Sequence, residues 1–212
     1  MVELLSLPIG IQDFATLRKA NMLYVDKTDQ LLEFVKVPMR CFLSRPRRFG
    51  KSLTLSTLEA MFQGKAELFK GLAAEEWVKK QSDTPTPTLR LDMSGLQTNA
   101  DVDTLSLSIR EKLMRIARRE HIPVISSTLG GVLQDIICGL HDASGTQIAA
   151  LIDEYDKPIL DNISDPQKAD PENSEGKLCQ LDLLAKAADG REINLEVQTT
   201  TDGDIDRRSL KY

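Results

Sequence analysis

Positions 44–52 read "SRPRRFGKS", and the last three residues, Gly50, Lys51 and Ser52, fill the end of a phosphate-binding loop, G-x-x-x-x-G-K-[ST]. Each residue type has a task there. Glycine lets the backbone approach a phosphate, lysine reaches the β- and γ-phosphates, and a serine hydroxyl can sit on Mg²⁺. Amides at the start of the following helix add oriented donors and the positive end of a dipole. Arg45 stands where the motif has its first glycine. Pro46 fixes its own φ and biases Arg45 toward extended backbone, so the turn is expected to be built differently rather than lost. Arg45, Arg48 and Phe49 complete the candidate nucleotide-contact set. Taken alone, the tripeptide fits a basic surface turn before a helix equally well.

A second cluster lies in "QIAALIDEYD", where the apolar residues 149–152 precede Asp153 and Glu154. A buried strand that delivers a carboxylate at its C-terminal end is how open α/β sheets place an acid beside Mg²⁺. Asp153 is the candidate metal acid, with Ser52 as its partner on the ion. Glu154 is the candidate catalytic residue that polarises the attacking water. Between Lys51 and Asp153 lie enough residues (153 − 51 = 102 positions) for an intervening strand and several helices. The bland alternative is that Asp153 and Glu154 only terminate a strand.

The elements that must hold these groups are legible in outline. "PMRCFLSR" is a short apolar run before the loop, read as a strand. The segment after Ser52 turns helical, with Leu53, Leu55, Leu58, Met61 and Phe62 near one stripe. Strand, loop and helix follow in the order a phosphate loop requires. Upstream, Phe14, Leu17 and Met22 suggest one helical face, and Thr28 is a plausible N-cap for a helix burying Leu31, Leu32 and Val35. "KAELFKGLAAEEWVKKQ" reads as two short helices, with Trp77 in packing, and "LRLDMSG" as an alternating strand. "DVDTLSLSIREKLMRIARRE" is a long amphipathic helix with Leu105, Ile109, Leu113 and Ile116 inward. "STLGGVLQDIICGLHD" is a further helix weakened by Gly130 and Gly131. From residue 164 the chain turns charged and proline-containing without apolar periodicity, which marks a linker over 164–174. "LCQLDLLAKAADGREINLEVQ" beyond it looks like a β-hairpin.

Composition narrows the classes. The 212 residues are 41% hydrophobic and 28% charged, as in ordinary soluble globular proteins. A net charge of −5 argues against a molecule that grips nucleic acid with its whole surface, so anion binding falls to the local cluster Arg45, Arg47, Arg48 and Lys51. That cluster suits a phosphate, a nucleic-acid backbone or plain solvent. Three scattered cysteines, Cys41, Cys138 and Cys179, suggest reduced thiols and a cytoplasmic setting, and argue against a disulfide framework or a zinc site. His121 and His141 read as surface or helix-end residues. No basic leader and no membrane-spanning apolar run are expected.

The stretches "IGIQDFATLR", "YVDKT", "FLSRPRRFGKSLTLSTLEAMFQGKAELFKGL", "LRLDMSG" and "LIDEYDKPILDNI" resemble a bacterial and archaeal family of AAA-like P-loop ATPases over residues 7–163. Many members carry a C-terminal PD-(D/E)XK nuclease domain. The family itself has arginine in place of the first glycine. The resemblance implies a three-layer α/β P-loop sandwich with a mostly parallel sheet. It also implies ATP and Mg²⁺ held by Gly50, Lys51 and Ser52, with Asp153 and Glu154 as the acidic pair. "YVDKT" could then lie near the nucleotide, although helix capping by Asp26 or Thr28 explains it as well.

The remaining piece, residues 172–212, resembles transposase-associated PD-(D/E)XK nucleases, which carry glutamine in place of the usual lysine. It implies Asp182, Glu196 and Gln198 as catalytic residues. A three-residue loop at 188–190, with Gly190 left-handed, sets Asp182 opposite Glu196 and Leu183 opposite Leu195. One face is then apolar and the other carries two carboxylates; a solvated polar face is the alternative.

The expected organisation is an AAA-ATPase-like P-loop domain over 1–163, incomplete at its C-terminal end, a linker over 164–174 and a nuclease-like fragment over 175–212. Nucleotide is the expected partner, nucleic acid and self-association are possible, and a membrane is not expected. Three functions follow: an ATP-binding and ATP-hydrolysing domain, a DNA-cutting enzyme, or a truncated or fused product with little activity.

Overall fold

Phe14 organises the first part of the chain. The computed structural model describes residues 5–36, 43, 49–96 and 104–154, together with the backbone of 102–103, 181–186 and 192–197. Contacts divide it into two units, Met1–Leu91 with His141–Asp153, and Asp92–Leu140 with Glu154–Tyr212.

The first unit opens with helix α1 (Phe14–Lys19), followed by α2 (Thr28–Lys36), α3 (Lys51–Phe62), a 3-10 turn (Ala66–Phe69) and α4 (Glu75–Gln81). Phe14, Leu31, Ala60, Met61, Phe69 and Val78 form its buried core, with Tyr24, Leu32, Val35 and Trp77 packed on the margin. The Phe14 ring meets Phe69 at 4.9 Å and Tyr24 edge-on at 5.2 Å. Burying one such phenylalanine is worth about 1.5–3 kcal/mol. Met22, expected beside Phe14 and Leu17, lies past the end of α1 and is only half-buried.

The α3 stripe differs from the one expected. Ser56, Thr57, Ala60 and Met61 are the buried positions, while Leu53, Leu55 and Leu58 are half-buried. No residue of α3 is fully exposed, and its large leucines lie on half-buried flanks. The small side chains mark the closest approach. Ser56 Oγ accepts from the Phe14 amide at 2.9 Å and donates to Asp13 at 3.1 Å, joining α1 to α3.

Strands β1 (Thr88–Asp92) and β2 (Ala149–Asp153) pair in parallel, and the Ala149 amide donates to Pro87 O just ahead of the ladder. In β2, Leu151 and Asp153 are buried and Ala150 is exposed, so the strand alternates rather than being buried throughout. Period two puts residues 151 and 153 on one face. This mixed helix-and-strand arrangement, with its small parallel two-stranded sheet, is compatible with the α/β class. The strand expected over "PMRCFLSR" lies outside the described residues, apart from Leu43.

In the second unit, α5 (Val102–Arg119) buries Leu105, Ile109, Leu113 and Ile116, the four positions its periodicity named. Helix α6 (Leu129–Ser144), whose residues up to Leu140 belong here, has an unexpected use for its glycines. Gly131, Asp135 and Gly139 recur every four residues, so they share one face. A Cβ at Gly139 would come within 2.5 Å of the Ile122 side chain, and one at Gly131 within 2.5 Å of Ser126. Between them Asp135 accepts from the Ile125 and Ser126 amides, both at 2.9 Å. The glycines seat the loop between α5 and α6 on the helix; they are packing positions as well as weak helix formers.

Strands β3 (Leu181–Lys186) and β4 (Glu192–Val197) form an antiparallel hairpin. Its register sets Leu181 opposite Val197, Asp182 opposite Glu196 and Leu183 opposite Leu195, as the alternation requires.

Candidate functional site

Gly50 opens α3 in the left-handed conformation, with φ of 75°. That conformation favours glycine over any residue with a Cβ. The helix start has no side-chain cap, in contrast to α1, where Asp13 accepts from the Thr16 amide at 2.6 Å. The Gly50 carbonyl accepts the first helical bond, from the Thr54 amide at 2.9 Å. Lys51 and Ser52 therefore occupy the first turn, beside amides that the helix itself leaves unused.

The direction of α3 is fixed at its other end. The Thr86 amide donates to Phe62 O at 2.8 Å, and Gln63 Nε2 donates to Thr88 Oγ1 at 2.8 Å. Three residues before that end, Glu59 accepts from Arg90 Nη1 at 2.9 Å. The end of α3 thus lies at the start of β1, its last turn runs back along the strand to Arg90, and α3 also packs on β2. Lys51 stands eight residues before Glu59, about 12 Å along the helix axis. The polarity carries Lys51 and Ser52 toward the C-terminal ends of the strands, where Asp153 closes β2.

Asp153 is 6% exposed. Arg90 Nη2 lies 3.7 Å from its Oδ2 while Nη1 of the same guanidinium holds Glu59. The sequence reading named neither Arg90 nor Glu59. A basic residue in the alternating "TLRLD" strand was the available signal, because Arg90 falls on the opposite parity from the buried Leu89 and Leu91. Glu154 follows with φ of 55°, a conformation unfavourable for a residue with a side chain. This kink ends β2 one residue after the buried acid.

Other expected residues have different standing. Phe49 is exposed, immediately before the glycine. Arg45 and Arg48 lie outside the described residues, as does Gln198. Asp182 and Glu196 face one another across the hairpin ladder. "YVDKT" resolves into helix capping: Asp26 accepts from the Thr28 amide and hydroxyl, at 2.8 and 2.7 Å, and from the Ala73 amide at 2.8 Å. Thr28, fully buried, is the first residue of α2 and accepts from the Ala74 amide at 3.0 Å. Burial acts to raise the Asp26 carboxyl, but these hydrogen bonds and nearby Arg18 outweigh it and hold it below its usual range. His141 sits in the last turn of α6 with Nδ1 2.7 Å from Thr146 O, and His121 lies just past α5, both helix-end positions.

Among the described residues no group of three or more histidine, cysteine or carboxylate side chains forms a metal cage. The start of α3 offers one hydroxyl, that of Ser52, with no side-chain cap on its first turn, and Asp153 is a buried carboxylate at the end of β2. Such a set suits a hard cation that keeps most of its waters and takes its remaining ligands from a phosphate. Magnesium with a nucleoside triphosphate fits that description. No described helix is long and apolar enough to cross a membrane.

Comparison with known proteins agrees in kind. The family model described as "Predicted AAA-ATPase" matches residues 8–177, stopping before β3. A protein of Azotobacter chroococcum mcd 1, described as "Uncharacterized protein in vnfD 5'region", is 38% identical over 167 residues, which cover 77% of this chain. The matched segment spans 31% of that longer relative. No solved structure matches.

Proposed function

This chain belongs to the family of predicted AAA-ATPases, and from that premise we propose that it binds ATP with Mg²⁺ at the start of α3 and hydrolyses it slowly. The observation that carries the proposal is the glycine-opened start of α3 without a side-chain cap, with Lys51 and Ser52 in its first turn and the helix oriented so that its start is turned toward the sheet end that carries Asp153. The fold this reading entails is the three-layer P-loop sandwich. Lys51 pairs with the outer phosphates, and the amides of the first turn hold the phosphate oxygens. Ser52 and Asp153 hold the magnesium, the acid directly or through water. Glu154 orients the attacking water, and Arg45, Arg48 and Phe49 contact the nucleotide. Bound magnesium supplies charge neutralisation along the phosphates.

Equilibrium binding of a fluorescent ATP analogue to wild type and Lys51→Ala tests this. The variant is expected to bind at least about a hundredfold more weakly with unchanged melting temperature, on the scale of losing a charged hydrogen-bonding partner to phosphate. Equal affinities would end the proposal and leave a chain with little activity as the better description.

A second reading rests on the hairpin register. Asp182 and Glu196 stand opposite each other, the placement a metal-dependent phosphodiester-cleaving centre needs. Cleavage of DNA that requires a divalent metal and is lost in Glu196→Ala would support it; cleavage that persists in the variant would remove it.

A further inference from the structure

With its phosphates at the start of α3, the proposed nucleotide needs a seat for its base within reach of a ribose. Ser52 and Ser56 stand four residues apart on α3, so they share a face, about 6 Å apart along the axis. Ser56 is where the amino-terminal segment meets the helix. The Phe14 amide donates to Ser56 Oγ at 2.9 Å, and Ser56 Oγ donates to Asp13 at 3.1 Å. Asp13 and Phe14 are therefore anchored one helical turn from Ser52. The segment is fastened a second time at Ser6, whose carbonyl accepts from the Leu23 amide at 2.9 Å.

Between these two fastenings the chain exposes large apolar side chains. Leu7 is 63% exposed and Ile9 is 87% exposed, and Gln12, next to the anchored Asp13, is exposed as well. Gly10 turns the chain with φ of 76°, and a Cβ there would meet nothing within 4 Å among the described residues. Apolar groups held out in water carry a solvation cost that burial would remove. On a loop pinned at both ends they form a preorganised surface, suited to a flat apolar ligand with a polar edge.

We propose that residues 7–12 form the base subsite of the nucleotide assigned to the start of α3, with Leu7 and Ile9 against the ring and the Gln12 side-chain amide on its polar edge. The inference rests on that assignment and adds base selection to it. A primary amide offers a donor and an acceptor side by side, the pattern that pairs with N7 and the N6 amino group of adenine. Guanine presents two acceptors, O6 and N7, at the same edge and leaves the Gln12 carbonyl facing a lone pair. The subsite therefore favours adenine over guanine.

The test is a calorimetric titration with Mg²⁺–ATP, Mg²⁺–GTP and inorganic tripolyphosphate, which carries phosphates without a base. Wild type, Ile9→Ser, Gln12→Ala and Ile125→Ser are compared, with Lys51→Ala as the reference for phosphate binding. Ile125 is 91% exposed and belongs to the other unit, so its variant controls for the loss of an exposed isoleucine. Wild type is expected to bind ATP about a hundredfold more tightly than tripolyphosphate and about tenfold more tightly than GTP. Ile9→Ser should weaken ATP and GTP about tenfold, the scale of one apolar side chain left uncovered, with tripolyphosphate unchanged. Gln12→Ala should erase the preference for ATP over GTP. Ile125→Ser should alter none of the three, and melting temperatures should stay level because the substituted loop positions are exposed. Tripolyphosphate binding as tight as ATP binding, an ATP-to-tripolyphosphate ratio untouched by Ile9→Ser, or an equal loss in Ile125→Ser overturns the inference. A preference for ATP that survives Gln12→Ala overturns the role of Gln12. A protein that binds neither ATP nor tripolyphosphate, or binds both unchanged in Lys51→Ala, overturns the assignment at α3 instead and takes this inference with it.

Discussion

The two ends of helix α3 use the same residue in the same conformation and differ in what surrounds it. Gly50 at the start has φ of 75° and Gly64 past the end has φ of 64°. Gly64 completes a Schellman turn: its amide donates to Met61 O and the Lys65 amide to Ala60 O, both at 3.1 Å. A Cβ there would lie 2.5 Å from Ser82 Cα and 2.8 Å from Ser82 N. At Gly50, a Cβ would meet nothing within 4 Å among the described residues. One glycine is thus held by packing, the other by backbone conformation with no such contact among the described residues. Closure is what structure needs at a helix terminus, whereas an opening with oriented amides is what a ligand needs.

Substitutions can break this contrast. Gly64→Ala should have the largest effect on stability, about 2–4 kcal/mol, since it combines left-handed strain with a backbone clash. Urea unfolding measures it, and nucleotide affinity at low temperature should be preserved. Gly50→Ala should cost about 1–2 kcal/mol of stability from the conformation alone, and should weaken nucleotide binding out of proportion to that cost. If Gly50→Ala destabilises as much as Gly64→Ala while binding is untouched, the two ends are equivalent and the contrast is wrong.

Helix α5 sharpens the comparison. It ends with the Ile122 amide on Ala117 O at 2.8 Å and with His121 at φ of 56°, so a histidine fills the place that glycine takes after α3. His121→Gly should stabilise the chain by about 1 kcal/mol, read as a rise in the urea midpoint. The smallest effect concerns pH. The folded Asp26 carboxyl lies below its ordinary value of 3.8, so its contribution to stability is complete above that value and is lost as pH falls through the lower, folded one. Acid titration of Asp26→Asn should show a shallower fall in stability below pH 3.8 than wild type shows.

The sequence made some of these features readable because periodicity and local chemistry decide them. The α5 face follows from spacing alone, the hairpin register from alternation, and the start of α3 from the tripeptide at positions 50–52. Other features depend on partners distant in the chain. Ser56 is buried because the start of α1 approaches there, and nothing near it in sequence announces it. Arg90 looks like an ordinary outward residue until α3 and β2 bring two carboxylates to it. Gly131 and Gly139 look like flaws in a helix until a loop lies across them.

The staple at Asp26 has a kinetic consequence. Its bond to the Ala73 amide spans 47 residues, and Arg18 reaches the Leu68 and Lys70 carbonyls across 50 and 52. As the polypeptide leaves the ribosome, α1 and α2 emerge long before anything exists for them to dock on, and helices this short are marginal by themselves. The amino-terminal fifth of the chain therefore settles late, once the turn near Ala73 has been made, and loop closure over that span sets the pace of its assembly.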